Sequence, residues 1–82
     1  MVKIYTKDYC PYCKKAKALL DSLKISYEET DITNTPEMIE ELSAKSGFRT
    51  VPQIFVGEKC LGGCSDIEKL NEEGKLVDLC KG

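Results

Sequence analysis

The sequence predicts an α/β fold in which one mixed β-sheet carries helices on its faces. The first observation is the order of predicted elements: strand, helix, strand, helix, strand, strand, helix. The first three suit a right-handed parallel crossover, and the last two strands suit an antiparallel hairpin. The second observation is the length of 82 residues, which predicts a single domain over residues 1–82.

The first half of the chain alternates between strand and helix patterns. The stretch "VKIY" has the composition of a strand, and "ISYEETDI" predicts a second strand with acidic outer positions. Between them the apolar period changes to that of a helix. One apolar helix face is predicted from Ala16, Leu19, Leu20 and Leu23.

The stretch "TPEMIEELSAKSG" carries the signals of a complete second helix. Thr35 is the predicted N-cap, Pro36 suits the first turn, and Glu37 favours the helix dipole. Gly47 fits the position just after the last turn. The predicted buried face consists of Met38, Ile39 and Leu42.

The second half predicts a hairpin and two further helices. "QIFV" and "KCL" flank Gly57 and Glu58, which is typical of a β-hairpin. Ser65 and Glu68 match a capping box and predict a helix start at that point. "KLVDLC" predicts a short terminal helix.

Charge and composition narrow the classes of function. The net charge of −2 argues against a dedicated nucleic-acid-binding protein, which would normally be basic. The opening residues lack the apolar core of a signal peptide, and no apolar run is long enough to span a membrane. We therefore expect a cytoplasmic protein with neither nucleic-acid nor membrane partners. The absence of histidine excludes Cys–His catalysis and zinc sites that need imidazole.

Two of the five cysteines, Cys10 and Cys13, enclose a Pro-Tyr pair at a predicted strand-to-helix junction. A helix N-terminus has unpaired backbone N–H groups and a partial positive charge, which together stabilise a thiolate. The three-residue spacing also places both sulfur atoms on one side of the first turn, within reach of a disulfide. This placement favours a redox-active pair.

Lysines surround this pair. Residues 7–17 hold four lysines and one aspartate, a charge of +3, so the rest of the chain carries −5. Cations early in a helix oppose its dipole, so Lys14, Lys15 and Lys17 are slightly unfavourable there. Such a locally disfavoured arrangement suggests that the lysines favour a thiolate and attract an anionic substrate. The alternative is an ordinary solvated helix face.

Two alternatives remain open for the cysteines. Cys60 and Cys64 could complete a four-cysteine zinc site with the first pair. Otherwise Cys60, Cys64 and Cys80 are expected to be packing residues without a catalytic role. No metal site is predicted, because the first pair opens a helix after a strand.

Taken together, three motifs resemble those of the glutaredoxins, dithiol members of the thioredoxin-like superfamily. They are "CPYC" at 10–13, "TVP" at 50–52 and "GGCSD" at 62–66, and the resemblance runs over essentially the whole chain. It implies a four-stranded mixed sheet whose third strand is antiparallel. It also implies an enzyme that uses glutathione as co-substrate, has no permanently bound cofactor, acts on disulfide-bonded or glutathionylated proteins, and is a monomer.

By the same resemblance, Cys10 is the attacking cysteine and Cys13 the resolving one. Pro52 matches the family's cis-proline, which would present the Val51 backbone to the cysteinyl group of glutathione. Lys7 is similar to the lysine that meets the glycine carboxylate, with Arg49 assisting. The remaining implied glutathione-binding residues are Tyr12, Thr50, Gly63, Cys64, Ser65 and Asp66.

The last of these residues are expected to bind the γ-glutamyl end of glutathione. The N–H groups of Cys64 and Ser65 would receive its carboxylate, a use of helix-start donors that physical chemistry supports independently. Asp66 would hold the α-amino group. Many bacterial relatives have two acids where this chain has Ser65 and Asp66, so one charge is absent here.

Two other functions remain as alternatives. One keeps the fold but draws electrons from thioredoxin reductase, against which Lys7 and Asp66 argue. The other is a non-enzymatic carrier of an iron–sulfur cluster or another metal, which Pro11 disfavours by family resemblance.

Overall fold

The computed structural model describes residues 2–8 and 10–81, so residues 1 and 82, the predicted domain limits, lie outside the described residues. The predicted strands and helices occur in the predicted order. The elements are β1 Val2–Thr6, α1 Pro11–Ser22, β2 Tyr27–Asp31, α2 Met38–Ser46, β3 Gln53–Val56, β4 Lys59–Gly62, α3 Cys64–Glu72 and α4 Leu76–Lys81.

The four strands form one mixed sheet in the order β2-β1-β3-β4. β1 pairs with β2 in parallel and with β3 antiparallel, and β4 completes the antiparallel hairpin. This arrangement confirms the predicted four-stranded mixed sheet. The central strand β1 therefore delivers the chain directly to the junction that carries Cys10.

Alternating side chains on the central strands build two apolar clusters, one on each face of the sheet. Ile4 and Ile54 pack against Ala16, Leu20 and neighbouring residues, which join α1, α3 and α4 to one face. On the other face, Phe55 and Ile32 pack with Leu42 of α2. The apolar faces predicted for α1 and α2 pack against the sheet, and Leu19, Leu23, Met38 and Ile39 on these faces are partly buried.

Two predicted helix starts are wrong. Thr35 does not cap α2: its carbonyl accepts the N–H of Met38 at 2.9 Å, so a separate turn precedes the helix. Ser65 does not cap α3 either, because Gly63 is the N-cap and the Asp66 carboxylate accepts the Gly63 N–H at 2.9 Å. The end of α2 is as predicted, with Gly47 in the left-handed conformation at φ 81°.

Within residues 2–8 and 10–81, every helix is too short or too polar to cross a lipid bilayer.

Candidate functional site

The two paired thiols lie where the chain leaves the central strand and enters α1. Cys10 is the N-cap residue in an extended conformation, and Pro11 follows it in the first turn, where a missing N–H costs nothing. Cys13 lies in the same turn and is 1% exposed, whereas Cys10 is partly exposed. Both cysteines are free thiols in the structure.

The buried thiol is strongly disfavoured as a thiolate. Burial raises the pKa of Cys13 to about 12. A hydrogen bond to Cys10 and the proximity of the Cys10 sulfur act in the same direction. A backbone hydrogen bond from Lys7 and the charge of Lys17 act in the opposite direction but do not offset burial. At neutral pH Cys13 is thus a protonated thiol, and the accessible member of the pair is Cys10.

The loop before β3 lies against this pair. The Val51–Pro52 peptide bond is cis, as the resemblance implied. The Cys10 thiol donates a long hydrogen bond of 3.7 Å to the Val51 carbonyl. This contact between residues 41 positions apart places the loop beside the accessible sulfur.

Two glycines allow close packing at the start of α3, and one of them, Gly63, approaches the same loop. A Cβ on Gly63 would lie 3.2 Å from the Pro52 carbonyl oxygen, and a Cβ on Gly62 would lie 2.5 Å from the Asp66 carboxylate. Gly62 also has φ +108°, which L side chains rarely adopt. Close packing at the start of α3 therefore favours glycine at both positions of the "GG" in the sequence motif.

These segments enclose a groove of about 580 Å³, within the range of small-molecule sites, about 300–1,000 Å³. The first helical turn of α3 supplies the N–H groups of Cys64 and Ser65, which have no partner within the helix. Tyr12, 60% exposed, forms the opposite rim. The lining residues are Tyr12, Phe48, Thr50, Val51, Pro52, Gly63, Cys64, Ser65 and Asp66.

Eight of the predicted binding residues therefore meet in one place, while Lys7 and Arg49 are not among the residues that line the groove. Phe48 is a lining residue that sequence reasoning missed. It is 44% exposed, and its signal was an aromatic residue in a polar loop, outside any apolar period.

Gln53 is a second missed residue, and it holds the groove's loop in place. Its side chain is 1% exposed and donates from Nε2 to the carbonyls of Phe48 and Thr50, at 3.0 and 2.9 Å. Its Oε1 accepts the Ser46 hydroxyl at 2.8 Å. A polar residue in the predicted strand "QIFV" was the available signal, since buried polar groups are normally hydrogen-bonded.

The spare cysteines differ from one another. Cys64 lines the groove, is 6% exposed, and donates to Glu68 Oε1 at 3.1 Å. Burial, and then this carboxylate, raise the pKa of Cys64 to about 11. Burial also raises the pKa values of Cys60 and Cys80. No group of three or more His, Cys, Asp or Glu side chains within residues 2–8 and 10–81 could hold a metal ion, so the alternative four-cysteine cluster is not assembled.

The lysines around the thiols have different surroundings. Lys17 forms an ion pair with Glu29 at 3.1 Å and faces β2. Lys15 instead places its Nζ 5.7 Å from the ring centroid of Tyr12, a cation–π arrangement on the rim of the groove. Lys7 and Lys14 form no ion pair with any residue that the structure describes.

Comparison with known proteins decides the family of this chain. The glutaredoxin family model matches residues 2–61. The chain belongs to the glutaredoxin family. It is 46% identical over 80 residues to glutaredoxin 3 of Escherichia coli K12, covering 98% of this chain and 96% of that protein. A thiol–disulfide oxidoreductase activity follows from this membership.

Solved glutaredoxin structures have the same fold. The solution structure of glutaredoxin from Brucella melitensis is 48% identical and superposes with a TM-score of 0.86, covering 98% of this chain and 87% of that one. The crystal structure of a buckwheat glutaredoxin–glutathione complex is 31% identical with a TM-score of 0.91, covering 98% of this chain and 76% of that one. The thioredoxin-like fold implied by the sequence motifs is confirmed.

Proposed function

We propose that this glutaredoxin is a glutathione-dependent enzyme that reduces protein disulfides and protein–glutathione mixed disulfides. The observation that carries the proposal is the groove beside Cys10, lined by the cis-proline loop and the first turn of α3. Its volume, exposed aromatic rim and free helix N–H groups suit an anionic tripeptide. The proposal includes a monomeric, single-domain protein over residues 1–82 with no permanently bound cofactor.

The proposed residue roles follow the two ends of glutathione. The N–H groups of Cys64 and Ser65 receive the γ-glutamyl carboxylate, and Asp66 holds the α-amino group through its exposed carboxylate. The Val51 backbone pairs with the central cysteinyl group, between Thr50, Pro52 and Gly63. Tyr12 borders the groove, and the side chains of Lys7 and Arg49 reach the glycine carboxylate from outside the lining.

In the proposed first step, the Cys10 thiolate attacks the glutathione sulfur of a mixed disulfide. The bond between glutathione and the protein substrate breaks, and a new disulfide forms between Cys10 and glutathione. The substrate sulfur leaves with the electron pair and takes up a proton. A second glutathione thiolate then attacks the mixed disulfide, which releases oxidised glutathione and restores Cys10.

Reduction of an internal protein disulfide needs Cys13. Attack by Cys10 leaves the substrate bound through a mixed disulfide. Cys13 then attacks the Cys10 sulfur, which forms a Cys10–Cys13 disulfide and releases the substrate as a dithiol. Two glutathione molecules then reduce the Cys10–Cys13 disulfide and leave as oxidised glutathione. Because Cys13 lies in the same helical turn, its effective concentration is high. Its proton must leave during this step, since the pKa of the buried thiol is about 12 in the reduced protein.

Serine variants of the two thiols test the proposal. The background carries serine at Cys60, Cys64 and Cys80, so that no spare thiol substitutes for Cys13. Cys13→Ser is expected to keep deglutathionylation but lose glutathione-coupled reduction of a protein disulfide by about tenfold or more. Cys10→Ser is expected to lose both activities. Loss of deglutathionylation in folded Cys13→Ser protein would contradict Cys10 as a self-sufficient nucleophile.

The electron donor is tested with the parent protein. Turnover is expected with glutathione and glutathione reductase, and not with thioredoxin reductase alone. Equal or faster turnover with thioredoxin reductase would overturn glutathione dependence and leave the thiol assignments to be judged by the serine variants.

A further inference from the structure

The basic residues of α1 lie outside the groove, and the proposed function does not use them. Lys14 and Lys15 are exposed, and none of the groove's lining residues is a lysine. Lys17, the third early lysine of the helix, is held by Glu29. The two outer lysines therefore project free charge from the surface next to Cys10.

The position of these two lysines carries an electrostatic cost. Cations in the first turns of a helix oppose the positive end of its dipole. Neither lysine forms an ion pair with a residue that the structure describes, and the remainder of the chain is acidic. Lys15 places its Nζ over the exposed ring of Tyr12, at the rim of the groove.

This rim is where a protein substrate must lie. If glutathione fills the groove, as the proposed function requires, the protein part of a mixed disulfide extends outward past the accessible Cys10 sulfur. The neighbouring surface on the α1 side is formed by Tyr12, Lys14 and Lys15. The carboxylates of α3 nearest the groove already have partners, since Glu68 accepts the Cys64 thiol and Asp66 accepts the Gly63 N–H.

We propose that Lys14 and Lys15, exposed on the first turns of α1 next to Cys10, form a docking surface for acidic residues that flank the target cysteine of a protein substrate. The surface selects among protein substrates, while the groove recognises the glutathione that they share. Complementary charge of this kind acts mainly on association, and salt screens it.

The test uses short peptides, each glutathionylated at one cysteine and flanked by acidic, uncharged or basic residues. The measured quantity is the second-order rate constant for release of the peptide thiol by reduced protein, without free glutathione. We expect the acidic peptide to react roughly three- to tenfold faster than the basic one at low ionic strength. The preference should shrink at high salt.

A double variant identifies the residues responsible. K14Q/K15Q is expected to lose most of the acidic-over-basic preference. The matched control is K45Q/K59Q, which removes the same charge from exposed sites on α2 and β4 and is expected to retain the preference. Because each preference is a ratio within one protein, a general effect on the Cys10 thiol cancels.

Equal rates for all three peptides, or an unchanged preference in K14Q/K15Q, would overturn the inference. Because the measured step needs no free glutathione and no reductase, it reports on docking even if the proposed glutathione-coupled cycle fails. A protein that released peptides with the expected preference but did not turn over with glutathione would contradict the proposed function alone.

Discussion

At the scale of single residues, the two cysteines of one helical turn have opposite environments. The "CPYC" spacing predicted that both would lie at the start of α1, since turn geometry is local. It could not show that Cys13 faces the core while Cys10 contacts the loop of Val51, because both facts depend on long-range packing. The difference in burial is what assigns the two thiols different roles.

We therefore predict that the thiols alkylate in a fixed order. With iodoacetamide at neutral pH, Cys10 should react well before Cys13, since Cys13 is buried and its pKa is about 12. Labelling of Cys13 should rise only at strongly alkaline pH. Peptide mapping by mass spectrometry measures both sites in one sample, and faster labelling of Cys13 at neutral pH would reverse the assignment.

The same labelling experiment reports on Cys64, whose thiol donates to Glu68. Because the carboxylate disfavours a nearby thiolate, Glu68→Gln should lower the pKa of Cys64 from about 11 and speed its labelling at a given pH. Burial persists in the variant, so Cys64 should remain slower than Cys10. Glu72→Gln, at the exposed end of α3, is the control; an unchanged Cys64 profile in Glu68→Gln would mean that burial alone protects the thiol.

At the scale of elements, the apolar periodicity and the residues that end helices predicted which segments are strands and helices, but not at which residue each helix begins. Apolar spacing over "AKALLDSL" and the Gly47 stop are local signals, and both were confirmed. The cap assignments failed because a capping-type side chain does not by itself set the first residue of a helix: a separate turn precedes α2, and the N-cap of α3 is a glycine. At α3 the close approach of Gly63 to Pro52 selects the starting residue, and that contact is tertiary.

An ion pair joins α1 to the outer strand β2 and gives stability a pH dependence. Glu29 accepts the buried Thr6 hydroxyl at 2.7 Å and Lys17 at 3.1 Å, and the Thr6 bond, followed by Lys17, lowers its pKa. Because the pKa of Glu29 is lower in the folded protein, its carboxylate stabilises the fold at pH values above the unfolded-state pKa of about 4.3. This stabilisation is lost as the pH falls through the folded-state pKa. Glu29 raises the pKa of Lys17. The Lys17 ammonium group therefore stabilises the fold below its unfolded-state pKa of about 10.4, and this stabilisation is lost as the pH rises through the folded-state pKa.

Glu29→Gln should accordingly lower the free energy of unfolding at neutral pH by less than about 1 kcal/mol, since both side chains are about one-third exposed. The difference from the parent protein should shrink as the pH falls well below 4.3, where the parent carboxylate is protonated. Urea denaturation at neutral pH and at a pH well below 4.3 measures this difference in the free energy of unfolding. Glu28→Gln, on an exposed neighbour in β2, serves as the control; a loss that grew at acidic pH would contradict the assignment.

At the scale of the whole molecule, the groove depends on contacts between segments distant in sequence. The motifs "TVP" and "GGCSD" indicated two of its walls through family resemblance, and the structure brings them together. Phe48 and Gln53 escaped prediction because neither belongs to a motif. The role of Gln53 appears only when its partners are known, since a glutamine in a strand is equally compatible with an exposed position.

Gln53 connects the sheet to the groove, so its loss should affect stability and binding together. Gln53→Leu removes two donors from the carbonyls of Phe48 and Thr50 and one acceptor from Ser46. Because water can reach the exposed loop residues, we expect a loss of only about 1–3 kcal/mol in the free energy of unfolding. The freed loop should also raise KM for a glutathionylated substrate several-fold, with a smaller effect on kcat.

Ser46→Ala provides the matched comparison for that variant. It removes the hydroxyl that donates to Gln53 Oε1 and also accepts the Phe48 N–H at 3.1 Å, but leaves both Nε2 bonds to the loop carbonyls. KM should therefore change less in Ser46→Ala than in Gln53→Leu. Urea denaturation and steady-state kinetics on the same preparations separate the two effects. If Gln53→Leu were destabilised but bound substrate normally, the loop would be held by its contact with Gly63 and Cys10, and the groove would be independent of the sheet.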